Sequence, residues 1–363
     1  MNVRRIDALR KAMQREKLPA VLVTNNENRA YLSGFTGSNG ALVITADEAI
    51  LVVGFIYREQ ASLQAPGWNI VQVQDSIPET VARVLQNRDI ARVGFEANYS
   101  SFDTVETYRT VFAHVFSEEE ECELVPFSNL IETLRQVKDE DEIAAMRKAS
   151  EISDFAFLHI LGIIRPGISE REVAAEMEYT MKKMGADGFA FDTIVVSGTR
   201  SSLPHGKPTD KRIEYGDFVT MDFGARYQGY CSDITRTVVV GKPSDEQRKV
   251  YQIVLQAHMR ALNTAAPGII GSELDAIARN TIADAGYGPY FGHGLGHGVG
   301  RVVHEMPSAG QKSTAEFEVG NVVTIEPGIY IPNWGGVRIE DMVLIVEGGN
   351  RSFHHTSKEL IVL

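Results

Sequence analysis

Apolar and polar positions along this chain change their spacing several times, and each change predicts an element. Between Arg5 and Arg15, Ile6, Leu9 and Met13 recur at helical spacing and predict an amphipathic helix. Ala20–Thr24 (AVLVT), Ala41–Thr45 (ALVIT) and Ile50–Val53 are unbroken apolar runs, too short for helices, and read as buried strands. Gly34, Gly37 and Gly40 mark a loop between the first two. A strand at Asn69–Gln74, a helix at Pro78–Gln86 with its proline in the first turn, and a strand at Arg92–Phe95 follow. Together these predict an α/β domain of about 125 residues, the size of one hydrophobic core.

The pattern then breaks. Residues 126–142 (PFSNLIETLRQVKDEDE) gather charge and mark a boundary, giving domains over 1–130 and 138–363. Asp139–Asp141 can cap a long helix expected from Glu142 to Ile164, which stops at Pro166-Gly167.

Beyond that point the chain repeats itself. PGISEREVAAEMEYTMKKMG (Pro166–Gly185) aligns with PGIIGSELDAIARNTIADAG (Pro267–Gly286) at an offset of 101 residues, each a turn, a helix and a glycine stop. YGDFVTMDFG (Tyr215–Gly224) aligns with VGNVVTIEPG (Val319–Gly328) at an offset of 104, which places Asp222 on Glu326. The second domain therefore reads as two related α/β halves.

Each half brings a pair of acids. FVTMDFGARYQGYCSDITRTVVV predicts two antiparallel strands joined near Gly229, carrying Asp222 and Asp233. NVVTIEPGIYIPNWGGVRIEDMVLIV predicts two more, carrying Glu326 and Glu340, with a longer turn through Pro332 and Gly335-Gly336. Carboxylates in Val/Ile-rich strands are costly to bury alone, and opposed pairs repel. Four such acids converge only around shared cations. Between the halves, FGHGLGHGVGRVVHEMP holds His293, His297 and His304, the first two flanked by glycine. Imidazole is a common ligand for catalytic metals. Four carboxylates and one histidine suit two divalent ions, manganese or cobalt with zinc as an alternative. Such a pair acidifies bound water and polarises a carbonyl, which is hydrolysis chemistry.

Neighbouring residues take supporting parts. His205 precedes His304 by roughly the repeat offset, which raises it above an ordinary loop histidine. Arg338, two residues before Glu340, suits an ion pair that orients that carboxylate. Cys231 reads as packing. Gly294, Gly296, Gly298 and Gly300 lack the lysine and the strand–helix context of a phosphate loop, so nucleotide binding is rejected. His114, His159, His258, His354 and His355 remain unassigned.

Composition narrows the classes. Lys plus Arg number 36 and Asp plus Glu 48, a formal charge of −12, with no basic stripe, which argues against nucleic-acid binding. Two scattered cysteines, Cys122 and Cys231, form no disulfide framework and point to a reducing, cytoplasmic setting. The N-terminal residues lack the apolar core of a secretory signal, and no apolar run is long enough to span a bilayer.

MDFG with SDITRT, GHGLGHGVG with HE, TIEPGIY and VRIED resemble the pita-bread metallopeptidases, the family of methionine aminopeptidase, aminopeptidase P and prolidase. The resemblance covers essentially the whole chain. Residues 1 to about 130, with YLSGFTGSNG, resemble the creatinase-type N-terminal domain of the Xaa-Pro peptidases. It implies an α/β (α+β) fold, a creatinase-like α/β domain followed by a pseudo-twofold pita-bread catalytic domain. By motif, Asp222 would chelate one metal, Asp233 and Glu340 would bridge both, and His297 and Glu326 would ligate the second. His205 and His304 would contact substrate and steady the tetrahedral intermediate. His293 would line the proline pocket, Arg338 would orient a bridging acid, and Glu326 would also shuttle a proton. The implied substrates are peptides with proline second, and the implied assembly is a homodimer. Creatinase uses this fold without metal, and a non-catalytic binding role is also known for it. The intact ligand set argues against both.

Two departures stand out. Gly54, in LVVGFIYREQA, replaces an Asp common in the family. Prolidases also use a cation for the dipeptide's free carboxylate, often an Arg soon after the HE motif, where HEMPSAGQKS offers only Lys312. That favours aminopeptidase P, with prolidase as the alternative.

Overall fold

The computed structural model describes residues 3–116 and 121–363, and the chain divides into two compact units, 1–134 and 135–363. The first unit is built on six strands: β1 (Ala20–Val23), β2 (Ala41–Thr45), β3 (Ala49–Val53), β4 (Asn69–Gln72), β5 (Arg92–Glu96) and β6 (Glu123–Phe127). They lie in the order β4-β3-β2-β1-β5-β6. β1 and β3 each pair antiparallel with β2, and the remaining pairs are parallel. Val21 and Val23 enter one core with α1 (Val3–Arg15), α2 (Asn26–Ser33) and α3 (Arg58–Gln64). Ala20 and Leu22 enter another with α4 (Ile77–Gln86) and α5 (Phe102–Val115). Both sheet faces are covered, so these strands read as continuous apolar runs rather than alternating ones.

The boundary stretch is itself structured, since it holds the end of β6 and all of α6 (Leu130–Gln136). α7 runs from Glu140 to Leu161, starting two residues earlier than the sequence suggested. Asp139 caps it: its side chain accepts from the Glu142 N–H, and the Glu142 side chain accepts from the Asp139 N–H.

The second unit shows the repeat in three dimensions. In its first half, α7 and α8 (Glu170–Lys183) cover β8 (Ile194–Ser197), β9 (Phe218–Phe223) and β12 (Ile234–Val239), ordered β12-β9-β8. β7 (Gly188–Phe189), β10 (Ala225–Tyr227) and β11 (Tyr230–Cys231) form a separate small sheet. The expected single hairpin is thus interrupted by a tight one, turning at Gln228-Gly229, both at positive φ. In the second half, α9 (Asp245–Thr264) and α10 (Gly271–Asp284) cover a five-stranded sheet. Its order is β14 (Glu305–Ala309), β13 (Gly296–Gly298), β15 (Val322–Ile325), β18 (Asp341–Val346) and β19 (Gly349–Ser352). The connection expected to be a turn is instead a second hairpin, β16 (Gly328–Ile331) with β17 (Gly335–Arg338). Pro327, without an N–H to donate, stands where β15 ends and β16 swings away.

Strand alternation decides which face meets the helices. Val219, Met221 and Phe223 of β9 and Ile234 and Val238 of β12 point to α7 and α8. Val323 and Ile325 of β15 and Val343 and Ile345 of β18 point to α9. Thr220, Asp222, Thr324 and Glu326 therefore fall on the opposite faces, as does Glu340. Register brings the pairs together: Asp222 lies opposite Thr235, and Ile325 opposite Asp341.

Candidate metal centre

The inward faces of both halves meet in a cleft of about 770 Å³. Asp222, Asp233, Glu326, Glu340, His205, His293, His297, His304 and Arg338 all line it. Lys312 does not, and the basic side chains that do are Arg171, Lys207 and Arg338.

Asp233, His297 and Glu340 bring one donor atom each within 4.8 Å of one another. Asp233 and Glu340 are almost fully buried, at 4% and 1% exposure. His297 Nδ1 donates to the Gly298 carbonyl at 3.1 Å, which turns Nε2 toward the acids. That atom lies 3.3 Å from Glu326 Oε1 and 3.6 Å from Asp233 Oδ2. Thr324 ties strand to ligand, accepting from the His297 N–H at 3.0 Å and donating to Glu326 Oε1 at 3.2 Å. Thr235 donates to Glu340 Oε2 at 2.6 Å.

Arg338 has a different partner from the one the sequence suggested. Its Nη2 pairs with Asp222 Oδ2 at 2.6 Å, while Nε donates to Thr235 Oγ1 at 3.0 Å. Hydrogen bonding from Arg338 reaches Glu340 through Thr235, whose hydroxyl accepts from Nε and donates to Glu340 Oε2. A third contact, Nη1 to the Tyr330 hydroxyl at 2.9 Å, continues to His293. His293 Nδ1 donates to the Gly294 carbonyl, so Nε2 accepts from the Tyr330 hydroxyl at 2.9 Å. His304 stacks edge-on against His297, with ring centroids 4.3 Å apart. His205 lies exposed at the cleft.

The charge balance identifies what the site suits. Burial, joined by the charges of Glu340 and Asp222, pushes the Asp233 carboxyl well above the ordinary range. Burial with the charges of Glu326 and Asp222 does the same to Glu340. Asp222 is raised by burial despite Arg338, and its Oδ1 is buried with no hydrogen-bond partner among the described residues. Glu326 is the exception: burial would raise it, yet the hydrogen bond and charge of His297 hold it down to about 2. His297 is raised in turn, its bond to Glu326 overcoming desolvation. Four carboxylates facing Arg338, Asp233 and Glu340 buried and Asp222 and Glu326 half-buried, leave negative charge that divalent cations would balance, and the oxygen-rich donor set with one imidazole fits manganese, cobalt or zinc.

Several contributors carry no sequence signal of their own. Thr235, Thr324 and Tyr330 look like ordinary strand residues. Arg279 of α10 pairs with Asp275 at 2.7 Å and donates to the carbonyls of Phe291 and His293, which anchors the histidine loop. Two unassigned histidines are also held in buried networks. His258 faces Asp341 at 3.3 Å beside Arg236, and His354 bonds Asp154. Gly54 precedes a short 3-10 helix (Phe55–Tyr57), with open space where a side chain would stand.

Residues 144–347 match metallopeptidase family M24, and residues 5–137 match the creatinase/prolidase N-terminal domain. The chain is 43% identical to an Xaa-Pro dipeptidase of Pyrococcus horikoshii, over 96% of both chains. It superposes on an Xaa-Pro dipeptidase from Bacillus anthracis with a TM-score of 0.96, at 44% identity over 99% of each chain. It also superposes on an X-Pro aminopeptidase from Thermotoga maritima with a TM-score of 0.89, at 37% identity over 97% of this chain and 100% of that one.

Proposed function

The chain belongs to metallopeptidase family M24, and on that premise we propose that it is an Xaa-Pro dipeptidase working through two divalent ions. The observation that carries the metal reading is the convergence of five ligand-type side chains in one cleft, with their negative charge under-compensated. The dipeptide reading draws on the relatives named Xaa-Pro dipeptidase, which outweigh the aminopeptidase P reading favoured by the HE segment.

Asp222, Asp233, His297, Glu326 and Glu340 would hold the ions, with manganese the first choice for this oxygen-rich set. When bound, the ions would supply the Lewis acidity that acidifies water and polarises the scissile carbonyl, so that a weakly basic carboxylate suffices. Glu326, ionised throughout the neutral range, takes the proton from the attacking water and returns it to the proline nitrogen. Burial beside His297 lowers His304, which therefore stays neutral and donates one N–H toward the developing oxyanion with His205. The leaving nitrogen is a tertiary amide without an N–H, so recognition relies on ring shape, and His293, held by the Tyr330 hydroxyl, lines that side. Arg338 keeps Asp222 and the Tyr330 hydroxyl in place.

The aminopeptidase reading keeps one structural point in its favour, the absence of Lys312 from the cleft. A matched pair of substrates separates the two. With manganese present, the dipeptidase reading expects Ala-Pro to be cleaved and Ala-Pro-Ala to be spared, and cleavage of the tripeptide alone reverses the assignment. The same proposal includes a homodimer and a cytoplasmic setting, the latter supported by two buried free cysteines. Light scattering of the purified chain measures the first.

A further inference from the structure

His354 and Asp154 lie outside every role assigned so far. His354 follows β19 and is 2% exposed. Its Nε2 lies 2.9 Å from the main-chain carbonyl of Asp233. Its Nδ1 lies 2.8 Å from Asp154 Oδ1, and Asp154 Oδ2 accepts from the His355 N–H at 2.7 Å. A carbonyl can only accept, so Nε2 carries a hydrogen, and the Asp154 contact holds one proton between carboxylate and ring. The ring is therefore fixed at both ends. Asp154 sits on α7, a 22-residue capped helix packed on the first half, so the anchor is rigid.

Asp233 needs such an anchor. It precedes β12, whose pairing with β9 begins at Ile234 opposite Phe223. Among the described residues, no main-chain N–H donates to its carbonyl. The β-ladder that fixes Thr235 and its successors does not reach it, and His354 takes that place.

We infer that His354, oriented by Asp154, is a positioning residue that sets the Asp233 carboxylate for the metal centre. The inference rests on the metal-centre reading above. Ligand distances tolerate shifts of only about 0.2 Å, and side chain and carbonyl of one residue move together. Groups that hold ligands typically contribute 10–100-fold in metal affinity.

The test is calorimetric titration of manganese into metal-free protein, with thermal unfolding of the metal-free variants as the folding control. His354→Met fills the space without a donor and should weaken manganese binding by about 10–100-fold. His354→Gln places an amide nitrogen near the position of Nε2 and should recover most of that affinity. Wild-type affinity in His354→Met overturns the inference. So does an equal loss in both variants, which would mark His354 as packing alone. If His354→Met does not fold, Asp154→Leu asks the same question from the other end, with the same expected loss, and unchanged affinity there is equally fatal. Wild-type protein that binds no manganese defeats the metal-centre reading itself, which separates the two failures.

Discussion

His304 and Arg338 show how much a single side chain carries. His304 stacks on His297 and faces the cleft, where it can meet substrate. Removing one donor aimed at a developing oxyanion typically lowers kcat by about 10²–10³-fold. Steady-state kinetics of His304→Ala should show that loss with KM changed little. Arg338 forks onto Asp222, Thr235 and Tyr330, a geometry an ammonium cannot copy. Arg338→Lys should therefore lose most activity while retaining the charge. The acids were legible in the sequence because a carboxylate in a Val/Ile run is an evident energetic cost that calls for a partner. Thr235, Thr324, Tyr330 and His354 were not, because their roles depend on residues as distant as Asp154, and no local pattern records such a meeting.

Elements explain both what the sequence revealed and what it concealed. β1, β2 and β3 were readable as unbroken apolar runs, since helices cover both faces. The helix Asn26–Ser33 has no clean apolar stripe to announce it, because it buries polar side chains. Asn28 is 0% and Arg29 2% exposed. Arg29 donates to the carbonyls of Gly37 and Gly40, which holds the following loop. Hydrophobic spacing cannot report a helix anchored this way. α10 matters more to the chemistry. Arg279 clamps the segment carrying His293, and its guanidinium lies 4.3 Å from the Phe291 ring centroid. Arg279→Met leaves Asp275 buried without its cation, so melting curves should show a loss of about 3–5 kcal/mol, accompanied by weaker metal binding. By contrast, Asp139→Ala removes the capping box of α7 and should cost about 1 kcal/mol with activity intact.

For the whole molecule, the repeat explains why two halves were visible from sequence alone, and why their pairing of acids was legible before any geometry. It also couples metal to stability. Burial and neighbouring charge raise the Asp233 and Glu340 carboxyls in the folded chain above their unfolded values. The folded state then holds more protons than the unfolded one above about pH 4, so stability without metal falls as pH rises from there. Scanning calorimetry of metal-free protein should show Tm decreasing as pH rises above the ordinary carboxylate range. Manganese should reverse that trend, adding about 2.7 kcal/mol per site at a hundredfold excess over Kd.

The most direct test strips the metal, confirms its loss, and follows proline release from Ala-Pro as manganese is returned. No turnover is expected without metal, with recovery complete near two equivalents per chain and no recovery in Asp233→Asn. Turnover that persists in the stripped protein, or none with two manganese ions bound, would contradict the metal-centre reading.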